Sequence, residues 1–405
     1  MLGASRHEAP LAPEARPVDR ASRPRYCVWE ITLRCDLACR HCGSRAGHAR
    51  PDELDTEECL DVIRQLAELG VREVSLIGGE VYLRPDWTTL IAAVRDHGMR
   101  CGVVTGGRGM TLERARAAKA AGISGVSVSL DGLEAAHDQL RALRGSFQAA
   151  RSALHALRQA DIPIAVNTQV NQLSRGDLEG LSELLFELGV YGWQVQLTVA
   201  MGRAADNPEL LLQPYELLDV IPRLAALAEA CHARGVRFEP GNNVGYFGPH
   251  EHALRRALPG QHTRGCTAGL ATLGIEASGD VKGCPSLPSR DYVGGNLRSS
   301  TLQDIWERAG ALRFTRDRTE AELWGFCKSC YYARECRAGC SWTSHVLFGR
   351  RGNNPYCHHR ALELAASGRR ERLVQTAKAP GEPFDQGHFE LVEEALGLKH
   401  PDYVE

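Results

Sequence analysis

The sequence predicts an α/β protein, with a parallel sheet covered by helices and then a smaller region organised around cysteine. Three observations carry this prediction. Strand-like apolar runs and helical stripes alternate six times between residues 26 and about 199. The chain between successive strands is long enough for a helix, which is what parallel strands need in order to connect. Beyond residue 236 the periodicity fades, while seven of the 14 cysteines gather between Cys266 and Cys357.

The elements follow in order. Residues 1–25 hold four prolines and five arginines without an apolar period, so a flexible N-terminal tail is expected. Strands are expected at 27–32, 71–78, 99–105, 125–130, 163–170 and 192–199. Between the first two, Thr56–Leu69 places Cys59, Leu60, Val62, Ile63, Leu66 and Leu69 on one helical stripe. Asp55 or Thr56 can cap its start, and Gly70 follows its last turn. The stretches 86–97, 111–121, 146–160 and 177–188 repeat the scheme, and 214–234 reads as a long helix. A first domain therefore covers 26–235. Residues 236–360 form a second, small and irregular domain, expected to depend on bound metal more than on an apolar core. Residues 361–405 return to a helical pattern, best at 361–366 and 388–396. Periodicity leaves two architectures for the six units, an open doubly wound sheet or a partial barrel. In both, functional residues belong at the C-terminal ends of the strands.

Composition narrows the function classes. The chain has 405 residues, a net charge of −2 and 43% apolar residues. The balanced charge excludes a polybasic grip on nucleic acid or anionic lipid. No apolar run is long enough to span a bilayer. The N-terminus lacks an apolar core with a cleavage site, so a cytoplasmic location is expected. In that reducing compartment, cysteines are metal ligands or catalytic groups rather than disulfides.

The first strand runs directly into Cys35, Cys39 and Cys42, spaced C-x3-C-x2-C. Thiolates suit zinc or iron–sulfur clusters. Three thiols on a cubane leave one iron open; the zinc alternative would complete its site with His41 or His48. At the end of the second strand stand Gly78, Gly79 and Glu80, two residues without a Cβ and a carboxylate able to offset a cation. Together these motifs resemble the radical S-adenosylmethionine (SAM) superfamily. The resemblance implies a partial (β/α)6 barrel with a [4Fe–4S] cluster on Cys35, Cys39 and Cys42. Its open iron would chelate SAM, and a 5′-deoxyadenosyl radical would abstract hydrogen from the substrate. The methionyl amine would lie at Gly78, Gly79 and Glu80, although Val81 stands where the family usually has proline. Further cofactor-binding candidates are Ser129 and Asp131 for the ribose or methionyl carboxylate, Asn167 and Gln169 on one face of the fifth strand, and Arg203 as a carboxylate partner. Thr105 is a further lining candidate.

In the second half, Cys266 and Cys284 read C-x12-G-x4-C, and Cys327, Cys330, Cys336 and Cys340 read C-x2-C-x5-C-x3-C before a distant Cys357. This is similar to the SPASM extension of radical SAM enzymes, and the two signatures span about residues 27–360. The resemblance implies two auxiliary [4Fe–4S] clusters, three clusters in all. Cys327, Cys330, Cys336 and Cys357 would hold one. Cys266, Cys284 and Cys340 would hold the other, one ligand short, with the gap open to a substrate thiolate or a non-cysteine ligand. Of the remaining thiols, Cys59 and Cys231 read as structural. Cys27 and Cys101 are core residues or hydrogen-atom donors facing the lumen.

The resemblance implies a peptide-modifying oxidoreductase. Hydrogen abstraction from a ribosomally made peptide would lead to a thioether or carbon–carbon cross-link, or to oxidation. The alternatives are modification of a tetrapyrrole or other small molecule, and peptide epimerisation; a non-catalytic iron–sulfur scaffold is disfavoured by Glu80 and the intact cysteine loop. Implied partners are a precursor peptide, with or without a separate leader-recognition protein, and an electron donor such as flavodoxin or ferredoxin. Residues 241–248 with Tyr331, Tyr332 and Trp342 are candidates for lining a peptide groove. Tyr82, Glu276, Asp280 and His345 are candidate proton acceptors.

Overall fold

The computed structural model describes residues 10–263 and 265–397. Expectations for residues 1–9 and 398–405 lie outside the described residues. All six expected strands are present: β1 (Tyr26–Glu30), β2 (Glu73–Ile77), β3 (Arg100–Thr105), β4 (Gly125–Ser129), β5 (Ile164–Val170) and β6 (Gly192–Leu197). The helices between them are α1 (Thr56–Leu69), α2 (Trp87–Asp96), α3 (Leu112–Ala120), α4 (Glu134–Arg141), α5 (Ser146–Gln159) and α6 (Leu178–Leu188). Asp55 caps α1 by accepting the Glu58 amide, and Gly70 ends it in the left-handed conformation at φ 92°.

Four strands beyond the expected six extend the sheet. After α7 (Leu217–Ala233), β7 (Arg237–Pro240) adds parallel to β6. On the opposite edge β8 (Thr272–Ile275) adds parallel to β1, followed by antiparallel β9 (Asp280–Lys282) and the short β10 (Gly295–Asn296). The order is β10-β9-β8-β1-β2-β3-β4-β5-β6-β7. From β1 to β7 it follows the chain with no reversal. A doubly wound sheet needs such a reversal, so the order decides for the partial barrel, with helices on one face only.

Strand alternation assigns the faces. Cys27, Trp29, Val74, Leu76, Cys101, Val103, Val126 and Val128 are buried in one core with the helices. The opposite face carries Val28, Gly102, Val104, Ser127, Ser129, Asn167, Gln169, Gln194 and Gln196. Cys27 and Cys101 are thus core thiols, and the hydrogen-donor alternative is set aside. Burial pushes the Cys101 thiol up to about 12.

Two expectations at the ends are corrected. Of the N-terminal tail, Pro17–Ala21 is a helical turn whose Asp19 is buried against Arg16, Arg313 and Arg316. That buried carboxylate anchors the segment to α8 (Leu302–Arg308) and the residues after it. At the other end, a helix forms after Cys357, α10 (His358–Ala366), with α9 (Ser341–Phe348) before it. The expected helix at 388–396 is instead a strand. β11 (Arg369–Ala377) and β12 (His388–Ala395) form an antiparallel hairpin. The second region also shares the main sheet, since β8 pairs with β1 and Leu273, Ile275, Val281, Leu302 and Trp306 join the main core.

Candidate active site

The chain leaving β1 becomes the cysteine loop. Its limbs are zipped where Cys35 N–H donates to Gly47 O (3.0 Å) and Gly47 N–H to Leu33 O (2.9 Å). The loop after β2 lies against it, with Gly79 N–H donating to Thr32 O and Glu80 N–H to Arg34 O, each at 2.8 Å. A Cβ at Gly78 would stand 2.3 Å from Thr32 O, and one at Gly79 would stand 2.2 Å from Arg34 O and 2.8 Å from the Cys35 Cβ. The structure thus gives these glycines a reason the sequence did not suggest. They let one loop abut the backbone that carries the thiols. From the other side Gly202, at φ 58°, leaves room for the carbonyls of Cys42 and Gly43.

Arg203 was expected to face a ligand carboxylate. Instead it donates its amide to Cys42 O (3.0 Å), Nε to Cys39 O (2.7 Å) and Nη2 to Ala46 O (3.1 Å). It clamps the loop that carries the thiols. A cation at the thiols is Arg141, which the sequence reading missed. It closes α4, a helix too short for its period to register. Its Nη1 lies 3.6 Å from Cys39 Sγ and its Nη2 2.5 Å from Asp131 Oδ2, while Nε has no partner.

Asp131 is likewise turned inward. Oδ2 also meets His41 Nε2 at 3.2 Å, and Oδ1 accepts the Gln169 amide at 2.9 Å. Burial opposes its ionisation, but Arg141 and His41 hold its carboxyl well below the usual range. Asp131 therefore positions Arg141 rather than facing a ligand, and His41 is engaged by Asp131.

Glu80 is almost fully buried at 1% exposure. It accepts from Thr105 Oγ1 and Gly106 N–H, both at 2.6 Å. Burial pushes its carboxyl up to about 7 against those two hydrogen bonds. Thr105 and Glu80 are thus one unit at the end of β2 and β3. Ser129 pairs in register with Asn167, Asn167 with Gln194, and Gln169 with Gln196, which lines the lumen face of β4 to β6 with amides and a hydroxyl.

The remaining seven cysteines fall into two groups. Cys266, Cys284 and Cys340 line a cavity of about 130 Å³ with Gln196, Asn242 and Trp342. Gln196 belongs to the amide row, so this cavity meets the lumen face. Trp342 Nε1–H donates to Met201 Sδ at 3.0 Å, and Met201 packs on Gly43 of the cysteine loop. Cys327, Cys330, Cys336 and Cys357 line a separate cavity with Tyr246 and Tyr332. Tyr332 stacks on Phe247 at 4.5 Å over this site, while Tyr331 is 89% exposed. Among the groove candidates, Asn242, Asn243 and Trp342 thus reach the lumen-side cavity. Glu276 is paired with Arg50 and Lys282, and His345 with Asp291 and Tyr292. Tyr82 donates to Asp36, and Asp280 accepts from Ser278 and Asn296.

The donor sets fit iron–sulfur clusters. Burial pushes the Cys35 thiol up to about 12, with Glu80, Cys39 and Cys42 adding to the effect. Burial does the same to Cys284 and Cys336, each also raised by a neighbouring cysteine of its own group. Thiols crowded in this way cannot ionise together unless a cationic centre compensates them. A single-sided barrel with three such thiols at its strand ends, and two further thiol sites behind its lumen, defines an iron–sulfur enzyme of radical type.

Comparison with known proteins agrees. The Radical SAM superfamily model matches residues 29–181, and the SPASM iron–sulfur cluster-binding domain matches residues 266–331. An AdoMet-dependent heme synthase of Methanosarcina barkeri is 30% identical, covering 83% of this chain and 97% of its own. Mycofactocin maturase MftC of Mycobacterium ulcerans is 31% identical, covering 78% and 83%. Among solved structures, anSMEcpe with bound AdoMet and the Cp18Cys peptide superposes with a TM-score of 0.66 at 16% identity, covering 84% and 95%. The chain belongs to the radical SAM superfamily and carries a SPASM domain. Those domains imply [4Fe–4S] clusters and SAM binding. Among the described residues, no helix is long and apolar enough to cross a membrane.

Proposed function

We propose that this enzyme abstracts hydrogen from a ribosomally made peptide, leading to a cross-link or an oxidised residue. The observation that carries the reading is the lumen wall. Asn167, Gln169, Gln194 and Gln196 offer amide donors and acceptors to an extended, largely neutral chain. A propionate-bearing tetrapyrrole would call for free cations, whereas Arg203 is spent on the cysteine loop and Arg50 and Lys282 on Glu276. The mycofactocin maturase and the PqqA peptide cyclase of Rhizobium meliloti, 26% identical, support a peptide substrate. The heme synthases, of comparable similarity, support the tetrapyrrole as the second reading.

In this proposal Cys35, Cys39 and Cys42 hold the SAM-binding cluster, and the two rear groups of cysteines hold two more, three in all. When bound, the first cluster and SAM supply the 5′-deoxyadenosyl radical. Glu80, oriented by Thr105, faces the methionyl amine. Arg141, held by Asp131 and with Nε unpartnered, takes over from Arg203 as the cation for the methionyl carboxylate, and Ser129 serves the ribose or that carboxylate. A one-electron donor of flavodoxin or ferredoxin type is the proposed reductant.

The test is anaerobic reconstitution followed by incubation with SAM, reductant and either the peptide encoded beside the gene or a propionate-bearing tetrapyrrole. A loss of two hydrogens from the peptide alone supports the proposal. Turnover of the tetrapyrrole alone overturns it. Arg141→Ala should abolish 5′-deoxyadenosine formation, and full retention would remove Arg141 from the site.

A further inference from the structure

Arg318 is 4% exposed and its guanidinium has no carboxylate partner among the described residues. One bond is made, from Nη1 to Ser341 Oγ at 3.0 Å. Nε and Nη2 are buried without any acceptor, as is the nearby Thr315 hydroxyl. Both residues line a cavity of about 370 Å³ that also touches Cys266 of one rear group and Cys336 of the other. Its acceptor Ser341 directly follows Cys340 of the three-cysteine group, so the guanidinium stands between the two rear groups.

The other buried cations near these cysteines are compensated within the chain. Lys282 pairs with Glu276 at 2.9 Å, and Arg360 with Glu371 at 2.5 Å. Arg318 alone of the three lacks such a partner. An uncompensated buried charge is strongly unfavourable, and Glu335, which also lines the cavity, makes no ion pair with Arg318, so the counter-charge falls to what the cysteines bind. Thiolate-bound iron–sulfur clusters are anionic, and N–H donors at their sulfurs are among the levers that set their potentials.

We propose that Arg318 is a positioning residue that raises the reduction potential of the two auxiliary clusters whose cysteines border its cavity. The inference rests on the three-cluster reading above.

The experiment compares wild type, Arg318→Gln and Arg318→Lys after anaerobic reconstitution. Each is built on a Cys35→Ser, Cys39→Ser, Cys42→Ser background so that only auxiliary clusters remain. Iron is counted, and the potentials are read by redox titration followed by electron paramagnetic resonance. A Cys327→Ser control identifies the four-cysteine signal. The expected result is a lower potential for both auxiliary signals in Arg318→Gln and an intermediate value in Arg318→Lys. An unchanged potential at full iron content overturns the proposal. So does loss of the cluster in both variants, which makes Arg318 merely structural. Inorganic phosphate is the probe for the competing view. Binding that disappears in Arg318→Gln while the potential stays fixed makes the cavity an anion site instead. A wild-type background holding no more than about four irons refutes the three-cluster reading itself, and the proposal with it.

Discussion

At Gly79 a single methyl group has nowhere to go. It would overlap Arg34 O and the Cys35 Cβ, and relieving such overpacking costs about 1–3 kcal/mol. The strain falls on the backbone that carries the thiols, so Gly79→Ala should still fold. It should lose about four irons per chain on reconstitution, together with most 5′-deoxyadenosine formation. Gly102→Ala, whose Cβ would meet Ser75 Oγ at an ordinary 3.5 Å, is the matched control and should lose neither. A full iron count in Gly79→Ala would show that the loops do not need this contact. Glu30 offers a second residue-scale test. It is 3% exposed, and its Oε1 has no hydrogen-bond partner, with Arg50 Nη2 4.0 Å away. Burial and the neighbouring Glu276 push its carboxyl up to about 8 from an ordinary 4.5, while Lys282 and Arg50 hold Glu276 down at about 2 despite burial. A raised carboxyl means that the folded state binds the extra proton, so stability is lost as pH climbs from 4.5 towards 8. Glu30→Gln removes that dependence. Its melting temperature should gain on wild type steadily across this window, and a pH-independent difference would contradict the assignment.

At the scale of elements, the β/α units were legible because each strand buries one face and each helix one stripe, so local pattern and tertiary packing agree. β1 to β6 and α1 follow the expected limits within a few residues. The C-terminal hairpin was misread because Phe389, Val392 and Leu396 also fit a helical stripe. The pairing that decides for a strand, Phe389 opposite Gln375 and Leu391 opposite Leu373, comes from the other arm of the hairpin, outside the segment whose period is read. The N-terminal turn escaped for the same reason, since Asp19 is fixed by Arg313 and Arg316, nearly three hundred residues away. In the site, the thiols and Glu80 were legible as motifs. The roles of Arg141, Asp131 and Arg203 were not, because they depend on which loop reaches which carbonyl or sulfur.

The hairpin has a consequence for that loop. Phe384 N–H donates to Gly43 O at 3.1 Å and Gly202 N–H to Asp385 O at 2.9 Å. Asp385 Oδ1 accepts from Arg45 Nε at 2.8 Å, with both side chains largely buried. The turn thus straps the outside of the cysteine loop. Losing one partly buried, charged hydrogen bond costs about 1.5–3 kcal/mol, which raises local opening about tenfold or more. Asp385→Ala should leave the iron content intact but bleach the cluster absorbance several-fold faster in air. Bleaching at the wild-type rate would mean that the strap does not shield the loop.

Over the whole molecule, the second region is of two kinds. Its first part, through β8 to α8, shares the main sheet and core. Around the rear cysteines, Val346, Leu347 and Tyr356 reach the main core, but the other apolar residues there form two small clusters among the described residues, Ala268, Leu287, Tyr292 and Phe314 in one and Leu323, Cys327 and Ala338 in the other. Such clusters bury too little apolar surface to offset the entropy of ordering the chain around them. Bound metal must supply the difference, as in other small metal-dependent domains. Stripping the iron should therefore not unfold the molecule uniformly. Residues 26–240 have their own continuous core and should keep their protection against proteolysis and hydrogen exchange. The segments 314–340 and 350–357 should become the first sites of cleavage and fast exchange, and β8, pinned to β1, should lie between the two. Arg318 sharpens the expectation. With the thiols empty its guanidinium is a buried charge without a counter-ion, so the stripped protein gains by opening there. Arg318→Gln should narrow the gap in protection between stripped and loaded protein around residue 318. If stripped wild type instead melts in one step, with the barrel and the cysteine-rich part exchanging together, the two parts are a single cooperative unit and the metal holds both.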